Sequence, residues 1–243
     1  MTLRRVGILG GMGPQATVLL MQKIIAATPA QDDADHIPLI VDQNPQVPSR
    51  IRHLIERSGE DPGPVLTAMA RRLQAAGATA LAMPCNTAHH YAPAIRAAVT
   101  IPLIDMVQLS VARAARLLGA GARVGILASP AVQRIRLFDT ACAAAGLTPV
   151  YATDEDAMLA AIRAIKAGGA SAATRAVLLA ASADLLAKGA DVQMIACTEF
   201  SIIADAMAPG VNAFDTLDEL VGGIIAFATG RDAGALQSDR QPP

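Results

Sequence analysis

Apolar residues along this chain fall into short continuous runs that alternate with longer stretches where alanine, leucine and isoleucine recur at helical spacing. Residues 6–10 read as a strand and 14–27 as a helix. Pro14 stands in the helix's first turn, where a missing N–H removes no hydrogen bond. Residues 37–42 are the next strand, followed by a polar, proline-bearing loop over 43–50. A helix over 61–76, a strand over 79–83, a helix over 87–99 and a short strand over 102–104 complete the first half. Strands that alternate with helices predict parallel βαβ units.

The pattern then restarts. Residues 123–128 read as a strand, 131–145 as a helix and 148–151 as a strand. Helices over 155–167 and 172–188 follow, then strands over 192–196 and 211–213 and a last helix over 215–228. Arg5-Val6-Gly7-Ile8-Leu9 matches Arg123-Val124-Gly125-Ile126-Leu127 at an offset of 124 − 6 = 118. The turn at Met83-Pro84-Cys85-Asn86-Thr87 resembles Ala196-Cys197-Thr198-Glu199 at an offset of 197 − 85 = 112. Two similar offsets in the same order predict an α/β fold of two similar lobes, each a mainly parallel four-stranded sheet flanked by helices. Each lobe then carries one cysteine at the C-terminal end of a strand, where open α/β sheets bind ligands, and the site is expected in the cleft between lobes.

Composition narrows the function. A formal net charge of −1, with no long run of one sign, lacks the basic footprint of a nucleic-acid binder. Aromatics at 2% leave little with which to stack bases. The apolar stretches are broken by Arg, Lys, Gln or Asp well before about 18 residues, so no membrane partner is expected. The short apolar run after Arg4-Arg5 leads into a glycine-rich turn and not a cleavage site. A cytoplasmic location follows as an expectation, and the three cysteines are read as free thiols. From Gly230 the apolar pattern is lost, and 231–243 is expected to be a mobile tail.

Both cysteine turns join a buried strand to a helix start. Asn86 or Thr87 is expected to cap the helix after Cys85, and Thr198 the helix after Cys197. The helix N-termini should lower both thiol pKa values toward neutrality and offer N–H groups to a carboxylate. Two thiols on opposite faces of a substrate, one starting as thiolate and one as thiol, suffice to remove a Cα proton and return one to the other face. Cys142 is the internal control: it lies in Thr140-Ala141-Cys142-Ala143-Ala144, away from any turn, and reads as helix packing.

Three motifs carry a resemblance to a known family. Gly7-Ile8-Leu9-Gly10-Gly11-Met12-Gly13-Pro14-Gln15-Ala16-Thr17, Met83-Pro84-Cys85-Asn86-Thr87-Ala88-His89 and Ala196-Cys197-Thr198-Glu199 resemble the aspartate/glutamate racemase family, in order and over about residues 6–230. The resemblance implies a two-lobe fold, catalysis by Cys85 and Cys197 without cofactor or metal, and a homodimer. It also implies that the last helix returns to the first lobe, giving lobes of 1–105 plus 213–230 and of 106–212. Asn44-Pro45-Gln46-Val47-Pro48-Ser49-Arg50 looks like the family's substrate loop, with Arg50 on an acidic side chain. Ile165-Lys166-Ala167-Gly168 resembles a motif in which the Lys faces substrate. Met12, Asn86, Thr87 and Thr198 are carried over as substrate contacts, and Glu199 as a further cleft residue. Two cations suit a dianionic substrate, aspartate first and glutamate second.

Other readings compete. Gly11-Met12-Gly13-Pro14-Gln15-Ala16 fits the dinucleotide pattern GxGxxA after a strand, with Asp42 as the ribose acid, but Pro14 lacks an N–H useful to phosphate. Cys85, His89 and His90 suggest zinc, with Cys197 or His53 approaching in space. A broad-specificity racemase, a one-cysteine decarboxylase or isomerase, and a non-catalytic binding module complete the alternatives.

Overall fold

The computed structural model describes residues 3–230, so the tail expected to be mobile lies outside the described residues. The first half runs β1 (Val6–Gly10), α1 (Pro14–Ala27), β2 (Leu39–Gln43), α2 (Gly63–Ala75), β3 (Ala80–Ala82), α3 (Ala92–Ala98) and β4 (Leu103–Ile104). A linking helix, α4 (Met106–Leu118), follows. The second half runs β5 (Arg123–Leu127), α5 (Pro130–Arg134), α6 (Asp139–Ala144), β6 (Thr148–Tyr151), α7 (Glu155–Gly168), α8 (Ala172–Ala187), β7 (Val192–Ile195), α9 (Thr198–Ser201), β8 (Ala213–Asp215) and α10 (Thr216–Thr229).

Two parallel sheets result, with orders β2-β1-β3-β4 and β6-β5-β7-β8. The orders correspond strand for strand, so the restart in the sequence is a repeat in the fold. β1, β3 and β7 are buried along their whole length, as strands covered on both faces require. Gly7 and Gly125 hold equivalent places in the two halves for a shared steric reason. A Cβ on Gly7 would lie 2.9 Å from the Ala78 Cβ, and one on Gly125 3.0 Å from the Leu185 Cδ1.

The last helix ties the halves together. Leu217, Leu220, Val221 and Ile224 of α10 are buried with Val6, Ile8, Leu20 and Ile24 of the first half. Met106 of α4 joins that cluster, whereas Val107, Val111 and Ala114 of the same helix pack into the second half. β8, however, pairs with β7 in the register Ile195↔Asp215. Residues 213–215 thus lie in the second sheet, and only α10 crosses back.

Several predicted elements are cut differently. The helix expected over 87–99 is a 3₁₀ turn at Thr87–Tyr91 followed by α3. Pro93 has no N–H to continue the ladder and forces a new start. The helix expected over 131–145 is two helices, broken where Arg136 adopts φ 54°. The Leu137 N–H closes onto the Val132 carbonyl at 3.0 Å, and the bend turns Phe138 wholly into the core. α4 has no counterpart in the sequence-based elements. Its start is set by Asp105, whose Oδ1 accepts from the N–H groups of Val107 and Gln108 at 3.0 and 3.1 Å.

Candidate active site

Cys85 and Cys197 follow β3 and β7, which hold the same interior place in their sheets. Neither turn is capped as expected. Asn86 and Thr87 make no cap hydrogen bond, and the residue preceding α9 is Cys197 itself, also without a side-chain cap. Asn86 instead donates from Nδ2 to the Thr216 Oγ1 at 3.0 Å, and Thr216 donates to the Ile195 carbonyl at 2.9 Å. That chain fastens the Cys85 turn to the strand that carries Cys197.

His89 fixes the other side of the Cys85 turn. The Met106 N–H donates to Nε2 at 3.2 Å, so that nitrogen is unprotonated and Nδ1–H donates to the Cys85 carbonyl at 2.9 Å. Burial holds the His89 pKa below its ordinary value, and nearby Asp105 only partly opposes it. The imidazole is therefore neutral, with both nitrogens occupied by main chain.

The two thiols share one cavity between the lobes. An inner chamber of about 30 Å³ is lined by both cysteines with Met12, Thr87, Ser129 and Ile162. An outer chamber of about 460 Å³ is lined by Gly11, Gly13, Gln15, Val47 and Ile165 among others. Ser49, Arg50, Lys166 and Glu199 border both chambers. The inner chamber is water-sized, and the outer one has the dimensions of a small-molecule site. Asn86 and Thr198 line neither; they are buried behind the cysteines.

The loop that delivers Arg50 is locally determined. The Asn44 Oδ1 accepts the Gln46 N–H at 3.0 Å, and the Asn44 carbonyl accepts the Val47 N–H at 3.3 Å. Gly11, at φ 92°, lies so close to Asn44 that a Cβ there would collide with its main chain. The glycine-rich turn and the Arg50 loop are thereby packed edge to edge. Arg50 is only 8% exposed, and its Nη1 donates to the carbonyls of Val47 and Pro48 at 3.2 and 2.9 Å. Among the described residues no carboxylate pairs with this guanidinium. A buried charge without a counter-ion is costly, and the outer chamber beside it is where an anion would relieve that cost.

Lys166, near the end of α7, does have a partner: its Nζ lies 3.3 Å from the Glu199 Oε1. The other oxygen, Oε2, accepts from the Cys197 thiol at 3.1 Å. Cys197 and Glu199 are 7% and 6% exposed. Burial pushes the Cys197 thiol up, and the Glu199 charge and hydrogen bond push it further. Lys166 and the Glu199 N–H pull the other way without reversing the direction. The expectation that a helix N-terminus lowers this thiol's pKa is therefore corrected. α9 is a single turn, and desolvation with an adjacent carboxylate outweighs its dipole.

The competing motifs are engaged elsewhere. Asp42 is paired with Arg72 at 2.7 Å. His89 is satisfied by main chain, and among the described residues no group of three or more His, Cys, Asp or Glu is arranged to hold a metal ion. Cys142 is wholly buried among Val132, Phe138 and Leu147, and burial pushes its thiol up to about 11. No helix among the described residues is long and apolar enough to cross a membrane. The sequence reading missed Ser129, which borders the inner chamber and caps α5 through its hydroxyl. The repeat pointed to it: Ser129-Pro130 follows β5 as Gly13-Pro14 follows β1.

Known proteins share this architecture. The chain is similar to Picrophilus torridus aspartate racemase, with 24% identity, a TM-score of 0.79, and 93% of this chain and 94% of that one covered. It is also similar to a glutamate racemase isoform from Bacillus anthracis, with 18% identity, a TM-score of 0.62 and coverage of 98% and 83%. A glutamate racemase from Francisella tularensis in complex with D-glutamate matches with 16% identity, a TM-score of 0.64 and coverage of 97% and 84%. At these identities the structures establish the fold. Residues 9–222 match the family model for Asp/Glu/hydantoin racemases. The chain belongs to the Asp/Glu/hydantoin racemase family and is an isomerase, a racemase.

Proposed function

We propose that the protein racemises an acidic amino acid, aspartate first and glutamate second, by passing a Cα proton between Cys85 and Cys197. The observation that carries this reading is the shared cavity: both thiols border one chamber, with the uncompensated Arg50 guanidinium and Lys166 at its mouth. Arg50 and Lys166 match the two carboxylates of the substrate. A neutral ring such as a hydantoin would leave Arg50 without an anion, so the charge pattern favours a dicarboxylate.

In the proposed reaction one thiolate removes the Cα proton while the opposite thiol delivers one to the other face. Arg50 fixes the side-chain carboxylate through a planar fork suited to it. Main-chain N–H groups around Met12 and the two turns meet the α-carboxylate. Thr87 closes the inner wall, and Asn86 serves by tying the Cys85 turn to Thr216. Both proton-transfer groups come from the chain, so the scheme calls for no cofactor. Aspartate and glutamate differ by one methylene, worth about 1–3 kcal/mol of discrimination.

The direct test is incubation with a panel of L- and D-amino acids followed by chiral separation. Interconversion of aspartate or glutamate enantiomers, with neutral amino acids unchanged, is the expected result. Racemisation of neutral amino acids at equal rates would overturn the substrate assignment.

A further inference from the structure

The geometry points to Glu199 as the positioning residue that makes the two thiols unequal: it keeps the proton on Cys197, so that Cys85 is the base of the resting enzyme. This inference rests on the two-thiol reading proposed above. The two cysteine turns are alike in sequence and equally buried, with Cys85 8% and Cys197 7% exposed. Their neighbours differ. The Cys197 Sγ donates to the Glu199 Oε2 at 3.1 Å, a bond that exists only while sulfur carries its hydrogen. Among the described residues the Cys85 Sγ has no carboxylate partner.

Lys166 completes the arrangement. At 3.3 Å from the other oxygen, its ammonium group holds the Glu199 carboxylate in place, with the second oxygen turned to Cys197. The remaining groups around Cys197 do not cancel the effect. Arg50 is turned to the carbonyls of Val47 and Pro48, and Asp215 lies behind α9, where it accepts from the Ser201 hydroxyl at 2.8 Å. Burial and the Glu199 charge both act against a Cys197 thiolate.

The proton count is explicit. The Cys85 thiolate forms an S–H bond with the Cα proton, and the C–H electron pair stays on Cα. Cα then takes the proton of Cys197, whose S–H electron pair stays on sulfur. The enzyme leaves that turnover as Cys85 thiol and Cys197 thiolate, with two negative groups now in contact at Glu199. This form is the less populated one. It returns to the resting form by exchanging protons with water or by turning over a substrate molecule of the other hand.

The test is alkylation by iodoacetamide across pH 6–10, read at each cysteine by peptide mass spectrometry. In the parent, Cys85 should be labelled well before Cys197 at neutral pH despite their equal exposure, and buried Cys142 should stay unlabelled. In Glu199→Gln, the midpoint for Cys197 should fall by about one pH unit, so that its labelling near pH 7.5 rises about tenfold. The alkaline limb of kcat/KM should move down with it, and Glu199→Asp should restore part of the parent behaviour. Parent protein that labels Cys197 first, or a Glu199→Gln profile that superimposes on the parent's, would overturn the inference. The parent's labelling order needs no variant and no substrate. It therefore judges the thiol assignment even if Glu199→Gln fails to fold, and a parent that labels as expected but racemises nothing would refute the proposed function alone.

Discussion

Replacing Arg50 with Met separates a ligand-binding cation from a structural brace. The guanidinium makes two hydrogen bonds to main-chain carbonyls. Bonds from a charged donor contribute about 1.5–3 kcal/mol each, or roughly 3–6 kcal/mol together. Against this stands the burial of a charge that is 8% exposed and lacks a counter-ion, a penalty of several kcal/mol. The two nearly cancel, and Met keeps an unbranched apolar stem of similar length. Arg50→Met should therefore change the stability of the ligand-free protein by no more than about 1 kcal/mol, or roughly 2–4 °C in Tm for a chain of this size. Catalysis should respond very differently. Loss of the cation that meets the side-chain carboxylate removes about 3–4 kcal/mol of binding, a fall in kcat/KM of roughly 10²–10³-fold. Scanning calorimetry with and without aspartate reads stability and binding, and initial racemisation rates read kcat/KM: the ligand should raise the Tm of the parent and leave that of Arg50→Met unmoved. A Tm drop beyond about 10 °C, with the surviving folded protein as active as the parent, would refute the reasoning.

Two buried titrating groups give opposite pH signatures. Burial, with a smaller push from Asp218, raises the Asp215 carboxyl to about 6, above its unfolded value. Its contribution to stability is fully present below about pH 4 and is lost as pH rises through about 6. Asp215→Asn keeps a competent helix cap, so it should raise Tm by several degrees at pH 8 and leave it unchanged near pH 4; an equal shift at both would contradict the assignment. His89 runs the other way: its folded pKa lies below the unfolded value of about 6.5, so stability is complete above that pH and declines as pH falls below it. His89→Gln preserves one donor toward the Cys85 carbonyl and one acceptor for the Met106 N–H. It should flatten the decline in Tm between pH 7 and pH 5, and an unchanged slope in that window would show that His89 is not its source.

What the sequence revealed depended on whether a feature was periodic or three-dimensional. The sheets were readable because β1 and β3 are continuous apolar runs and β5 and β7 are apolar but for Arg123 and Gln193, and the duplication announced itself through Gly7 and Gly125. α4 escaped notice because its residues serve two cores, one through Met106 and the other through Val111 and Ala114, so that its apolar positions do not fall on one face; Asp105, which caps it, was the signal that could have found it. The break at Arg136 was hidden because nothing in the alanine-rich stretch around it opposes a helix; it is the core's demand for Phe138 that bends the chain. At the site, the turn position of Cys85 and Cys197 was legible. The caps were not, since Asn86 was drawn to Thr216, 130 residues away. The sense of the Cys197 pKa shift was missed for a related reason: a helix terminus is visible in a sequence, whereas desolvation and the direction of the Glu199 carboxylate are not.

The central claim is that Cys85 and Cys197 are two halves of one proton-transfer device. Exchange of the Cα proton of L- and D-aspartate in D₂O, followed by NMR for the parent, Cys85→Ser and Cys197→Ser, tests it most directly. The parent should incorporate deuterium as it racemises either enantiomer, and each substitution alone should lower racemisation at least about 100-fold, since a serine hydroxyl is a far weaker acid than a thiol. Racemisation at the parent's rate in either single variant would contradict the account.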